Sequence, residues 1–170
     1  MTLVADRQPL DVEFLHTARL LLDEMSLVRD GDGHVVDPNS VEADPIRFEE
    51  QRRLAWALVL VAFTQMIDRA GLERNSLHID QRLLYDAIKG IRTAAIFYQW
   101  KLSTINPVSH RNAVRDVIDR ANYAGKVQGV PCRIWIEDGR ICVDDSLLDL
   151  MQHLLHMLDP NLPDVAAKTS

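Results

Sequence analysis

Val130-Pro131-Cys132-Arg133-Ile134-Trp135-Ile136, then Glu137-Asp138-Gly139-Arg140, then Ile141-Cys142-Val143-Asp144: these fifteen residues are the most decisive stretch of the chain. Asp-Gly between two alternating apolar runs is a strong hairpin signal, because both central residues of a type I′ turn need positive φ. A two-residue loop at Asp138-Gly139 pairs Glu137 with Arg140, Ile136 with Ile141, Trp135 with Cys142, Ile134 with Val143 and Arg133 with Asp144. Side chains alternate faces along a strand, so Cys132, Ile134, Ile136, Ile141 and Val143 share one face. Trp135, Cys142 and the charged pairs take the other. An isolated two-stranded hairpin is marginal in water, so its aliphatic face must pack on something else.

Helices supply that support. The spacing of apolar residues predicts a first helix from Asp11, a candidate N-cap, to about Arg29. Phe14, Ala18, Leu21, Met25 and Val28 form its face, widened by Leu15 and Leu22. Asp30 to Ala43 reads as an exposed loop. A second helix starts with Asp44 as N-cap and Pro45 in the first turn, and runs to Arg69 or Ala70 with Gly71 beyond it. Its middle, Leu54 to Phe63, is apolar nearly all round, which suits the centre of a bundle or a self-association surface.

A third helix is expected from Asp80 to Leu102, with Leu84, Ile88, Ile91, Ala95, Tyr98 and Leu102 inward and Asn106-Pro107 as its stop. Ser109 is then the N-cap of a fourth helix, His110 to Ala124, closed by Gly125, with Val114, Val117, Ile118 and Ala121 inward. Asp145 to Leu158 forms a fifth, with Leu147, Leu150, Met151, Leu154 and Leu158 inside. The expected fold is mainly α: five helices around a central apolar helix at about 45–70, plus one C-terminal β-hairpin at about 130–144. Residues 11–159 make one domain between a flexible N-terminus, 1–10, and a flexible tail, 160–170.

At 170 residues the chain has length for one substantial core. Its 47% apolar and 26% charged content excludes global disorder. The longest apolar run, ten residues, spans only about 15 Å as helix, half of a ~30 Å hydrocarbon core, so no membrane span is expected. The excess of arginine over lysine, 15 to 4, hints at a GC-rich bacterial or phage genome. The N-terminus has no apolar core of signal-peptide length. Cys132 and Cys142 fall on opposite hairpin faces, which makes a bridge between them geometrically poor; two free thiols fit a cytoplasmic protein.

Charge is segregated. Residues 1–50 carry −8, 51–86 carry +1, 87–126 carry +5 and 127–170 carry −4. The basic middle interleaves Lys89, Arg92, Lys101, Arg111, Arg115, Arg120 and Lys126 with Phe97, Tyr98, Trp100 and Tyr123. Arg111 and Arg115 are like charges four residues apart, a mildly unfavourable pair that an anion would relieve. Two helices followed by a hairpin also admit a winged arrangement in which the fourth helix reads nucleic acid. The tip, Glu137-Asp138, would repel phosphate, and phosphate contacts supply most non-specific affinity.

No catalytic pattern stands out. Glu13 and His16 have the spacing of a di-iron half-site, but the second copy and its extra glutamates are missing. His153 and His156 lie three apart without a thiolate, beside Asp149, and read as a hydrated face. Asp30-Gly31-Asp32-Gly33-His34 misses the calcium-loop pattern at three positions and reads as a turn. There is no nucleophile elbow, phosphate loop or dinucleotide fingerprint, and no cofactor or metal is called for. The expected function is therefore a small cytoplasmic protein-interaction module, a regulator, antagonist, immunity protein or adaptor, that acts by binding another protein. Trp135, Arg133, Cys142 and Arg140 are its candidate contact residues, with possible self-association through helix 45–70. The alternatives are a nucleic-acid-binding regulator using Arg111, Arg115, Arg120, Lys126 and Lys101, and an all-α hydrolase built on acids such as Asp116 and Asp119.

Overall fold

A computed structural model describes residues 9–101, 105 and 108–163. Its elements in chain order are α1 (Glu13–Glu24), α2 (Pro45–Arg69), a short 3₁₀ turn (Arg74–Ser76), α3 (Ile79–Phe97), α4 (Val108–Val127), β1 (Ile134–Glu137), β2 (Arg140–Val143) and α5 (Ser146–Leu158). The protein is mainly helical, with one antiparallel hairpin. Among the described residues no helix is long and apolar enough to cross a membrane. The expected stop at Asn106-Pro107, the inward Leu102 and most of the two expected flexible ends lie outside the described residues.

α3 is the hub. It packs against α2, α4 and α5, while α1 closes over α2 and α5 and α4 supports β1. The inward residues expected of α3, Leu84, Ile88, Ile91 and Ala95, are buried. Polar links add registry to the α2–α3 seam. The Tyr85 hydroxyl donates to Asp68 at 2.7 Å, and Arg92 donates to the buried Thr64 hydroxyl at 2.8 Å.

The most enclosed helix is α5, on which Leu147, Leu148, Leu150, Met151, Leu154 and Leu155 are all buried. α2 has two characters instead of one. Trp56, Val59, Leu60, Phe63 and Ile67 face the core, but Leu54 and Leu58 remain 62% and 57% exposed. Its start follows the sequence reading: Asp44 accepts from the Arg47 amide at 3.1 Å and Pro45 occupies the first turn. Gly71 takes φ +74 just past the end.

α1 is shorter than its periodicity suggests. It ends at Glu24, Asp11 lies two residues before its first turn, and the buried face is Leu15, Ala18 and Leu22 while Leu21 is exposed. Val28 leaves the helix to accept a backbone bond from Val36 at 3.0 Å, and Asp30 to His34 turns back against it. The Asp30 carboxylate accepts from the Asp32 and His34 amides at 2.9 Å each, and Arg47 donates to the Gly31 carbonyl at 3.0 Å. These bonds compete with continuing the helix, and they pin the loop to α2.

The ends of α3 and α4 also differ from expectation. α3 stops at Phe97, and Gln99 and Trp100 adopt φ +48 and +63. Positive φ is unfavourable for bulky side chains. Here it turns Trp100 into the core at 3% exposure and presents its carbonyl to the Ile141 amide at 2.8 Å. α4 contains Ser109 inside its first turn and runs through Gly125 to Val127; Gly129, at φ +72, is the residue that ends it. Gly125 serves close packing: a Cβ there would lie 2.6 Å from the Val130 carbonyl oxygen and 2.9 Å from the Cys132 nitrogen.

The hairpin register is the one expected. Ile134 faces Val143, Trp135 faces Cys142, Ile136 faces Ile141 and Glu137 faces Arg140, around Asp138 and Gly139 at φ +51 and +72. Cys132, Ile134 and Ile141 are buried, whereas Ile136, near the turn, is 40% exposed. β2 gains a further neighbour through a bridge between Arg140 and Lys101.

Candidate functional site: a tryptophan-lined cleft

All three tryptophans of the chain, Trp56, Trp100 and Trp135, line one cleft between the N-terminal half of α2 and the hairpin. Its volume is about 410 Å³, within the range of small-molecule sites. Phe48, Ile141 and Val143 complete the apolar wall, and Glu49, Arg52, Arg53, Glu137, Cys142 and Asp144 provide the polar groups. α2 contributes one wall because Phe48, Arg52 and Trp56 recur every four residues, one turn apart on a helix. Trp100 reaches the cleft through the left-handed pair that ends α3.

Most charges on this wall are already engaged. Glu49 holds Arg53 at 2.9 Å. Asp144 accepts from the Ser146 amide at 2.9 Å and from its hydroxyl. Glu137 accepts the Trp135 indole N–H at 3.3 Å. Among the described residues Arg52 has no ion-pair or hydrogen-bond partner. The indole N–H of Trp56, on a residue only 2% exposed, is also unpaired.

A second cavity of about 320 Å³ adjoins the first and shares Arg53 and Trp100 with it. Its lining is of different chemistry: Arg53, Lys101 and Arg140 against the single acid Glu50, with Leu54, Ala57, Ala95 and Gln99. Arg140 and Lys101 are neighbours here because of the bridge between their backbones.

The four contact residues named from the hairpin are thus placed unequally. Trp135 is half-buried rather than fully presented to solvent, and the Arg133 guanidinium covers it at 4.5 Å from the ring centroid. Cys142 lies on the wall of the first cavity and Arg140 on that of the second. Both cysteines are free thiols. Burial pushes the Cys142 thiol up, with Glu137 and Glu49 adding to the effect, so it is a poor nucleophile at neutral pH.

The basic residues named for nucleic acid do not all share one surface: Arg111, Arg115 and Lys126 fall within about 60° around α4, while Arg120 and Lys101 lie elsewhere. Arg115 and Arg120 lie about 140° apart around α4, from 3.6 residues per turn, so they flank opposite sides of the helix. Arg111 bends toward the backbone and donates to the Ile105 carbonyl at 3.2 Å. Lys126 sits at the far end of α4, and Lys101 belongs to the cleft. The aromatics of that segment are equally divided: Trp100 is buried, while Phe97 and Tyr123 are exposed.

The ionisable clusters on other helices have structural occupations. Arg19 lies 3.8 Å from Asp145 and 3.5 Å from Asp149, tying α1 to α5. His153 meets Gln128 at 3.4 Å and His156 meets the Pro163 carbonyl at 3.2 Å. Ligand atoms of Asp30, Asp32 and His34 fall within 4.8 Å of one another. The amides of His34 and Asp32 engage the Asp30 carboxylate and hold its pKa below the ordinary carboxylate range. That group reads as a stabilised turn.

What sequence reasoning missed is the convergence itself. Trp56 and Trp100 read as core and basic-segment aromatics, and nothing local marks them as neighbours of Trp135. The four-residue spacing of Phe48, Arg52 and Trp56 was the one signal available. No protein-family model, curated protein or solved structure matches this chain.

Proposed function

We propose that the protein is a non-catalytic binding module of the cytoplasm that recognises a partner protein through the cleft between α2 and the hairpin. The observation that carries this reading is the meeting of every tryptophan of the chain with two arginines, Arg52 and Arg140, whose side chains have no partner among the described residues. Tryptophan and arginine are the side chains most enriched among residues that dominate binding energy. Opposed charges around the rim, Glu49 and Glu50 with Arg53, Lys101 and Arg140, suit orientation of an incoming partner. The two free thiols accord with a reducing compartment.

The test is capture of partners from the native host followed by binding measured with purified components. A partner held at this face should lose at least tenfold in affinity with Trp135→Ala and with Arg140→Glu. It should be indifferent to Arg120→Glu on α4. Equal binding by all three variants would move the recognition surface elsewhere.

A further inference from the structure

The two adjoining cavities differ in chemistry, and a single occupant that satisfies both must have two unlike ends. The first has aromatic walls from Phe48, Trp56, Trp100 and Trp135; Trp56 and Trp100 are 2% and 3% exposed, so the ring surface open to a planar group is that of the half-buried Phe48 and Trp135. The second offers three cations against one acid. Arg53 is engaged by Glu49, so the cation least committed there is Arg140, whose guanidinium has no partner among the described residues. Arg53 and Trp100 line both cavities, so the two compartments lie side by side. In the first cavity the groups still unpaired among the described residues, the Arg52 guanidinium and the Trp56 indole N–H, are donors; in the second, the unpaired Arg140 guanidinium faces one unpaired acid, Glu50. The carboxylates Glu49, Glu137 and Asp144 are all occupied as acceptors.

We infer that the cleft binds a planar aromatic ring joined to an anionic phosphate, with the ring against Trp135 and Phe48 and the phosphate on Arg140. This deepens the proposed function and rests on its assignment of the cleft as the recognition site. Two sources present that chemistry: a mononucleotide, or a phosphorylated tyrosine on the partner. A cation would be less suited to the first cavity. Arg133 already covers Trp135, and the wall acids already hold donors.

The test uses the full chain, ¹⁵N-labelled, with 2-naphthyl phosphate, 2-naphthol and inorganic phosphate as probes. The three indole N–H signals report directly, since all three tryptophans line the site. 2-Naphthyl phosphate should bind at least tenfold tighter than either of the other two and shift the Trp100 and Trp135 signals. Arg140→Gln should bring its affinity down to that of 2-naphthol while the affinity for 2-naphthol stays constant. AMP and a phosphotyrosine peptide then separate the sources. Tighter binding of the peptide supports both the inference and the protein partner; tighter binding of AMP supports the inference and overturns the protein partner. If 2-naphthol binds as tightly as its phosphate, the inference is overturned and the cleft stands as an apolar anchor site. If no probe shifts any indole signal at millimolar concentration, the inference is overturned, and the recognition cleft is decided separately by the Trp135→Ala and Arg140→Glu affinities for the partner.

Discussion

The hairpin region meets its surroundings along two seams built in opposite ways. On one side α4 approaches through Gly125, and the Val130–Cys132 lead into β1 lies against its backbone, with the Val130 amide bonded to the Gly125 carbonyl at 2.8 Å. On the other side α2 faces the hairpin across large aromatics, and a cleft of about 410 Å³ remains. Both seams bring a helix to the hairpin region. A residue without a side chain lets backbones close, whereas indoles of fixed shape meet only along parts of their surface and leave space between them. The closed seam is where this protein is held together, and the open one is where it has room to bind.

That contrast is breakable, most forcefully at Gly125. Gly125→Ala would place a methyl against backbone atoms, which cannot rotate aside. Overpacking of this kind should outweigh the ~1 kcal/mol gain in helix propensity and destabilise by about 3 kcal/mol, measured by urea unfolding. An unchanged midpoint would mean that the seam is looser than described.

The same seam should fail in alkali. Burial pushes the Cys132 thiol up to about 11, with a bond from Ser146 partly opposing the effect. A folded pKa above the ordinary value near 9 means full stability below pH 9 and progressive loss as the pH rises toward 11. The loss is about 2–3 kcal/mol, two pKa units at ~1.4 kcal/mol each. Cys132→Ala should flatten that part of the stability profile. Tyr85, whose hydroxyl is pushed up by burial and by Asp68, should extend the decline to higher pH in both proteins.

A smaller effect tests whether glycine closes α3 on α4 as it closes α4 on the hairpin. A Cβ at Gly90 would collide with the Val117 side chain, which is only partly buried and has somewhere to move. Gly90→Ala should cost about 1–2 kcal/mol. Adding Val117→Ala should recover most of it, because the collision is with that side chain alone; additive losses in the double variant would break the explanation. The open seam should respond least. Trp135→Ala is expected to change unfolding stability by about 1 kcal/mol or less, since the ring is half-buried and borders a cleft. A loss beyond that would make Trp135 a structural residue and sharpen the comparison against the binding role proposed for it.

Much of the fold was legible because short-range rules set it. Asp44 and Pro45 fixed the start of α2, and Asp138-Gly139 fixed both the turn and the pairing of eight strand residues. Those signals act within a few positions of the chain. The boundaries that misled were settled by distant groups. α3 carries no glycine or proline at its end, yet it breaks at Phe97 because Trp100 gains a buried position and a bond to Ile141. Gly125 looks like a helix terminator until Val130 and Cys132 are seen against it. Of the candidate site, Trp135, Cys142 and Arg140 were named from the hairpin pattern, while Phe48, Arg52, Trp56 and Trp100 were not.

By itself the sequence determined which segments are helix, where the chain reverses, and which side chains share a strand face. Capping, forced φ angles and alternation are local properties, and each is written in neighbouring residues. The tertiary structure alone decided that three tryptophans far apart in the chain stand around one cleft and that Arg140 and Lys101 sit side by side. Those relations depend on how helices dock, and docking is decided by the volumes of side chains summed over the whole core.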